Sequence, residues 1–398
     1  MKGRDFIITC NQLWETETGT TIKNLALEIS KQNNVLYVNT PIDYSSCLRN
    51  IKYHVKDHRM DVVKKKNPPL RKIRENLWVL DLPHIAYSIN KIPFNAVFDF
   101  FNKLNNKMIA KNILKYADIL NFNDYILFID NDIYRSLYMK EFLSPHLTIY
   151  YRRDYVIGQS YWKKHGTRLE PEIIAKADIT MGNSTLFCEE LKKYNLNVFL
   201  LETGVDLSLY DSDKEYQTPV DIKDISHPIV GYTGAIDSTR LDEKLMCQIA
   251  EKRPGYSFIL TGTEDELFKN SLLHKMNNVF FTGSRKVEDL SSYITAFDVC
   301  INPQKINEIT QGNYPLKIDE YLALGKPIVA TATKFMIEVF KEHVHLANNA
   351  DEYLKMIDLG IEESKDVILK GERIKFAHTH SWENRVNKLY EVLTDKGF

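Results

Sequence analysis

Residues 302–331 read NPQKINEITQGNYPLKIDEYLALGKPIVAT, a strand end, a long loop, a helix, a Gly-Lys-Pro turn and a second strand. Pro315 suits a first helical turn, where its missing N–H has no intrahelical partner to lose. Leu316, Ile318, Tyr321 and Leu322 supply an apolar face, and Gly325 stops the helix ahead of Pro327. Ile328–Ala330 is the short apolar run of a strand covered on both faces. Lys317 and Glu320, three residues apart, share one edge of the first turns. The preceding Gly312-Asn313-Tyr314 lets the backbone come close to an anion. A cation, a carboxylate and open backbone N–H groups at a helix start suit a phosphate joined to a hydroxyl-rich group.

Outward from this stretch the same alternation fills the chain. Strands are expected at Phe6–Thr9, Val35–Asn39, Leu77–Leu80, Ile126–Ile129, Leu147–Tyr151, Ile179–Gly182 and Val198–Leu201. Helical patterns lie between them at Thr21–Gln32, Asn95–Tyr116, Ile133–Phe142, Pro171–Lys176 and Thr185–Tyr194. A second series starts at 228–234 and continues through Ser257–Thr261, Val279–Thr282, Val299–Asn302, Ile328–Ala330 and Val344–Leu346. Its helices are expected near Leu241–Lys252, Val287–Ala296, Pro315–Leu324 and Phe335–Lys341. Strands alternating with helices predict an α/β chain of two Rossmann-like, doubly wound parallel-sheet domains facing a cleft. The polar stretch Asp211–His227 reads as a linker. The domains are therefore expected at 1–206 and 207–380, with an amphipathic helix at 381–398 crossing back to the first.

Composition narrows the function. The 398 residues carry 52 Lys and Arg against 53 Asp and Glu, which argues against nucleic acid as a partner. Five scattered cysteines without a CxxC argue against a disulfide framework or a zinc site. The opening MKGRDFIITCNQ is too short and polar for a signal peptide, and no window resembles a membrane span. The cytoplasm is the expected compartment. Between Arg49 and Glu75 ten Lys and Arg face three acidic residues, so residues 49–75 are a segment that could hold the chain at the anionic inner face of the membrane. The Phe-rich run from Ile92 to Ile109 reads as core in preference to a lipid-dipping face.

Doubly wound folds bind ligands beyond the carboxyl ends of their strands. In the second half this selects Gly234 and the loop to Arg240, whose guanidinium can grip a diphosphate or merely pair with Asp237. In the first half it selects Gly19 and Thr20 ahead of a helix, with Glu15 and Glu17 nearby. It also selects Arg152-Arg153-Asp154 directly after a strand, followed by Gln159, Tyr161, Trp162, His165 and Arg168, groups suited to a sugar. The alternative for that group is mutual pairing of Asp154 with the arginines. Asp130-Asn131-Asp132 reads more simply as helix-cap chemistry than as a metal–diphosphate motif. No HExxH, nucleophile elbow or Walker loop is present.

GYTGAIDSTRLD (Gly231–Asp242), TGSR (Thr282–Arg285) and PLKIDEYLALGKPIVAT (Pro315–Thr331) together resemble the donor half of GT-B glycosyltransferases of family 4. TGVD (Thr203–Asp206) is similar to the Asn-Gly-Val-Asp turn of that family, and HGTRLEPEIIAKADITMGNST is similar to the acceptor half of its bacterial surface-polysaccharide members. The resemblance implies a retaining, metal-independent hexosyltransferase-like enzyme without a cofactor. Its substrates would be a UDP- or GDP-linked sugar and a glycan or lipid-linked glycan. Glu320 matches the second Glu of the family's E-x7-E motif, which holds the donor ribose. Arg240 falls in its diphosphate loop. The first Glu position falls on Gly312, with Glu308 four residues earlier. Lys317 has no counterpart in that motif, and its phosphate role rests on the local reading of the helix start; with it, the donor set is Gly234, Arg240, Gly312, Asn313, Tyr314, Pro315, Leu316, Lys317 and Glu320. Arg240 and Lys317 would stabilise the leaving group, and Asp154 or His165 would orient the acceptor. Gly19, Thr20, Arg152, Arg153 and Gln159 complete the acceptor side. A sugar-nucleotide epimerase and a non-enzymatic two-domain ligand-binding protein are the alternatives.

Overall fold

A computed structural model describes residues 1–16, 20–52 and 57–397. Gly19, Glu17 and Lys56 lie outside the described residues. The chain divides into two units, Met1–Glu202 with the chain from Val386 onward, and Thr203–Arg385. The sequence reading put the boundary after Asp206.

The first unit is an eight-stranded sheet. Its strands are β1 (Asp5–Cys10), β2 (Asn34–Val38), β3 (Leu70–Arg74), β4 (Leu77–Leu80), β5 (Ile126–Asp130), β6 (Leu147–Arg152), β7 (Ile179–Gly182) and β8 (Val198–Leu200). Their order is β3-β4-β2-β1-β5-β6-β7-β8, parallel except for β3, which runs antiparallel to β4. β1, β5 and β6 are buried almost throughout, because helices cover both faces and leave no strand side for polar residues. The chain order reverses direction about β1, which places the switch point between β1 and β5.

The second unit is a six-stranded parallel sheet of order β11-β10-β9-β12-β13-β14. It comprises β9 (Ile229–Thr233), β10 (Ser257–Thr261), β11 (Val279–Gly283), β12 (Val299–Asn302), β13 (Ile328–Thr331) and β14 (His345–Ala347). Its switch point lies between β9 and β12, paired at Val230–Val299 and Gly231–Cys300. One core lies on each face, the first including Phe297, Ile318 and Tyr321, the second Ile249, Leu260 and Tyr353. Gly231 is obligatory here: a Cβ would fall 2.0 Å from the Phe297 ring.

Several expectations change. Strand β3 and the helices Tyr44–Lys52, His58–Val63, Ala350–Glu363 and Val367–Thr379 are additional to those read from the sequence. Of Ile133–Phe142 only Met139–Leu143 is helical. The helix around Pro171 begins at Ser160, since a proline forfeits one hydrogen bond without stopping a helix otherwise packed on the sheet. Residues 211–227 are no linker. Tyr210 and Ile222 are buried in the second unit's core, and Asp221 accepts hydrogen bonds from Arg285 (2.6 Å) and the Tyr293 hydroxyl (2.9 Å). Two anchors and one ion pair suffice to fix a polar stretch. Among the described residues, no helix is long and apolar enough to cross a membrane.

Candidate active site at the carboxyl edge of the second sheet

The β9–β12 switch point gathers most of the donor-side residues. After β9 the chain turns at Gly234, whose φ of +124° favours glycine. A Cβ there would meet the Lys317 Cε and Nζ at 3.1 Å. Gly262, after β10, faces the Gly234 carbonyl so closely that a Cβ would lie 1.8 Å from it. Two adjacent loops thus expose backbone instead of side chains where a ligand has to approach.

The loop from Asp237 to Arg240 is fastened to the loop after β12. The Asp242 N–H donates to the Pro303 carbonyl (2.9 Å) and the Lys305 N–H to the Arg240 carbonyl (2.8 Å). Lys305 Nζ donates to the Ser238 carbonyl (2.7 Å), and Asn307 Nδ2 to the Thr239 carbonyl (2.8 Å). Arg240 itself is half-buried. Its place on the rim is set by main-chain bonds, which long side-chain fluctuations cannot loosen.

The helix Leu316–Ala323 starts at this edge with Pro315 as its N-cap residue, one residue later than the sequence suggested. Its first N–H groups lack intrahelical acceptors. Tyr321 bolts it to β9: the Thr233 N–H (2.8 Å) and hydroxyl (3.1 Å) both donate to the Tyr321 hydroxyl. Lys317 Nζ donates to the Tyr232 hydroxyl at 3.0 Å and lies 4.6 Å from the centre of that ring. Lys317 is thereby aimed over Gly234.

Glu320 lies half-buried on the same helix. Burial pushes its carboxyl up from 4.5 to about 7, against the lowering pull of Lys317, while Asp319 adds to the rise. The buried Tyr210 hydroxyl faces this carboxylate without reaching hydrogen-bond geometry, and the Asn302 side-chain amide at the end of β12 also lacks a hydrogen-bond partner. Orphaned buried polar atoms are rare without a reason. Two such residues, Tyr210 beside the Glu320 carboxylate and Asn302 at the end of β12, mark a place for a polar ligand. Asn302 was legible as the one polar residue ending an apolar strand at a switch point. Tyr210, at the threshold of a supposed linker, carried no such signal.

Behind the site stands a buried triad. Tyr314 donates its hydroxyl proton to Asp319 Oδ2, and His380 Nδ1 lies 2.7 Å from Asp319 Oδ1 and 3.2 Å from the Tyr314 hydroxyl. An ionised carboxylate only accepts, so Nδ1 carries the proton. Tyr314 therefore turns its side chain inward, against Phe335 and Phe340. Only its backbone is left for a donor. Gly312 and Asn313 are buried beside it, Leu316 is half-buried and Glu308 is exposed.

The first unit treats its candidates differently. Arg152 is 4% exposed and paired with Glu190 (2.8 Å) and Glu170 (3.5 Å). Arg153 joins buried Asp130 (2.8 Å) to Asp154 (2.6 Å). Pairing with Asp154 thus accounts for Arg153 alone, Arg152 being held by two glutamates, and the Asp154 side chain remains 30% exposed. Thr20 is a buried N-cap accepting from the Lys23 N–H, and Gln159 is the exposed residue preceding Ser160. His165 is a correction. It is 1% exposed, stacked on Phe98 at 3.8 Å, with Nε2 2.9 Å from the Ile92 carbonyl. Burial lowers its pKa, and it orients the 92–94 turn instead of a substrate.

One group with metal-ligand chemistry exists among the described residues: Glu15, His58 and Asp81, whose ligand atoms lie within 4.8 Å of one another. Arg71 already occupies it, donating to Asp81 Oδ2 (2.9 Å) and pairing with Glu15. A guanidinium there supplies the positive charge a cation would bring.

Comparisons with known proteins bear on the fold and on the family of the second unit. Residues 228–358, which carry the switch point, match the glycosyl transferases group 1 family model. The teichuronic acid biosynthesis glycosyltransferase TuaH, as it is named, of Bacillus subtilis is 27% identical over 223 residues, 54% of this chain. The match takes in 56% of that protein's length. Sucrose-phosphate synthase of Thermosynechococcus elongatus superposes with a TM-score of 0.67 at 15% identity, over 98% of this chain and all of that one. HepE of Anabaena, solved in complex with UDP-glucose, gives 0.64 at 14% over 98% and 99%. An α,α-trehalose-phosphate synthase (UDP-forming) of Burkholderia vietnamiensis gives 0.69 at 10% over 99% and 100%. The architecture is GT-B.

Proposed function

We propose that this GT-B chain, whose residues 228–358 form a glycosyl transferases group 1 domain, moves a sugar from a nucleoside diphosphate sugar to a hydroxyl of a glycan or lipid-linked glycan. The setting is bacterial polysaccharide synthesis. The observation that carries this reading is the pairing of Lys317 over Gly234 with a destabilised Glu320 one helical turn away. Glu320 accepts hydrogen bonds from the two ribose hydroxyls. Lys317, Arg240 and the N–H groups opening the helix Leu316–Ala323 stand where negative charge grows as the diphosphate departs, the placement that lowers a barrier most. They do so without a metal. The acceptor hydroxyl attacks the anomeric carbon on the face the leaving group vacates, so configuration is retained. Asp154, half-buried and paired with Arg153, is the acceptor-side group of the first unit. HepE has been solved with UDP-glucose, which supports a uridine donor ahead of a guanosine one.

A thermal-shift series tests the reading. UDP and UDP-glucose at about a hundred times their dissociation constants stabilise the donor unit by roughly 2.7 kcal/mol, through mass action alone. GDP leaves the melting temperature unchanged. No shift with any nucleoside diphosphate or its sugars removes the assignment. Incubation with donor alone yields slow hydrolysis, whereas a new sugar nucleotide identifies an epimerase.

A further inference from the structure

The aromatic run expected to be core is not all core. Phe94 is 69% exposed, Phe100 60% and Val97 43%, all within the first turns of the helix Asn95–Ile119 or at its start. Phe101, on the same stripe, packs on the core and anchors it. The surface continues beyond this helix. Phe101 lies 5.0 Å from Tyr87, and Tyr87 lies 6.0 Å from Tyr44. Tyr44 and Leu48 share one face of the helix Tyr44–Lys52 and are 50% and 69% exposed.

These pieces are locked together. Asn105 clamps Tyr87 with two hydrogen bonds of 2.9 Å, to its N–H and its carbonyl. The Tyr44 N–H donates to the Ala86 carbonyl, and Ser45 N–H to the Ser88 hydroxyl. His165 and Lys164 hold the Ile92 and Pro93 carbonyls, fixing the turn that presents Phe94. The result is one contiguous, rigid apolar face, of a kind soluble surfaces rarely leave open.

Its border is cationic. Arg49, Lys52, Lys91, Lys103 and Lys164 are exposed around it. The carboxylates nearby are occupied: Asp99 pairs with Arg168, and Asp43 accepts from the Ser46 N–H and the Ser88 hydroxyl. Apolar rings with a cationic rim complement an anionic bilayer, whose headgroups take the charge and whose acyl boundary takes the rings. A second copy would bring the same cations against themselves.

We propose that the first unit docks on an anionic membrane through Tyr44, Leu48, Phe94, Val97 and Phe100, rather than through the basic segment 49–75 as a whole. Much of that segment is committed elsewhere: Arg59 to Asp57, Arg71 to Asp81, Arg74 to Ser30 and Lys72 to the Trp78 ring. The proposal does not depend on the reaction the second unit performs.

Co-flotation of the full chain with vesicles decides it. The chain floats with equimolar phosphatidylglycerol–phosphatidylcholine vesicles and not with phosphatidylcholine alone. The double substitution Phe94→Ser/Phe100→Ser lowers the bound fraction at least about tenfold while leaving the melting temperature in place, both positions being exposed. Lys64→Glu/Lys65→Glu, in the basic segment but off this face, leaves binding within about twofold, since each screened surface charge adds little. Three results overturn the proposal. One is a wild-type chain that ignores anionic vesicles. Another is loss of binding in the lysine variant alone. The third is a self-associating chain whose dimer, not its vesicle binding, the phenylalanine variant abolishes.

Discussion

Replacing Glu320 with Gln has opposite effects on folding and on function. Burial holds the Glu320 carboxyl at about 7 against an ordinary 4.5. The folded chain therefore keeps a proton that the unfolded chain has released, and stability declines as pH rises from 4.5 to 7, then levels off. A gap of 2.5 units at about 1.4 kcal/mol each sets a ceiling of roughly 3.4 kcal/mol. Partial solvent contact cuts this to about 1.5–2 kcal/mol. Glutamine resembles the protonated carboxyl and never ionises. Glu320→Gln thus raises the melting temperature of a unit this size by about 3–6 °C at pH 8, and by almost nothing at pH 4.5. Donor affinity moves the other way. Losing a charged acceptor to two hydroxyls costs about 1.5–3 kcal/mol, a ten- to hundredfold weaker binding. Differential scanning fluorimetry across pH, with calorimetric titration of the nucleotide, reads both quantities. A stability gain that is equal at pH 4.5 and 8, or an unaltered nucleotide affinity, refutes the assignment.

Three further outcomes follow from the same edge. Arg240→Ala lowers turnover at least tenfold, about 1.4 kcal/mol of barrier, and unchanged rates at limiting and saturating donor exclude it from the site. Gly234→Ala forces a positive φ and crowds Lys317 at 3.1 Å, costing roughly 1–2 kcal/mol in chemical denaturation and raising the donor KM; a neutral result contradicts the close-approach role. His380→Ala leaves buried Asp319 without its Nδ1 donor and destabilises the second unit by about 1.5–3 kcal/mol, with His380→Gln milder because its amide can still donate. Equal loss in both variants would assign His380 to packing alone.

Both sheets were legible in the sequence because buried parallel strands announce themselves as short apolar runs between helical patterns. Strand β3 was not. LRKIR carries three cations, and its pairing depends on the tight turn to β4 instead of on any periodicity. The linker expected at 211–227 failed for a related reason, since its attachment to the core rests on three scattered apolar residues, buried Ile222 with partly buried Tyr216 and Ile225, within a polar run, with Tyr210 just ahead of it. Lys317, Glu320 and Gly234 could be picked out because strand ends, helix starts and glycines mark themselves locally. His165 could not be judged, because whether an imidazole meets solvent or a phenyl ring depends on Phe98, sixty-seven residues away in sequence. For the same reason the outward aromatic stripe passed for interior.

Strand β3 ends the first sheet, and an open strand margin invites another chain to add itself. Here the outermost strand is short, reversed and studded with Arg71, Lys72 and Arg74. Any like margin drawn alongside would set cation against cation. Charge and reversal at an outermost strand are the features that discourage such edge-to-edge addition.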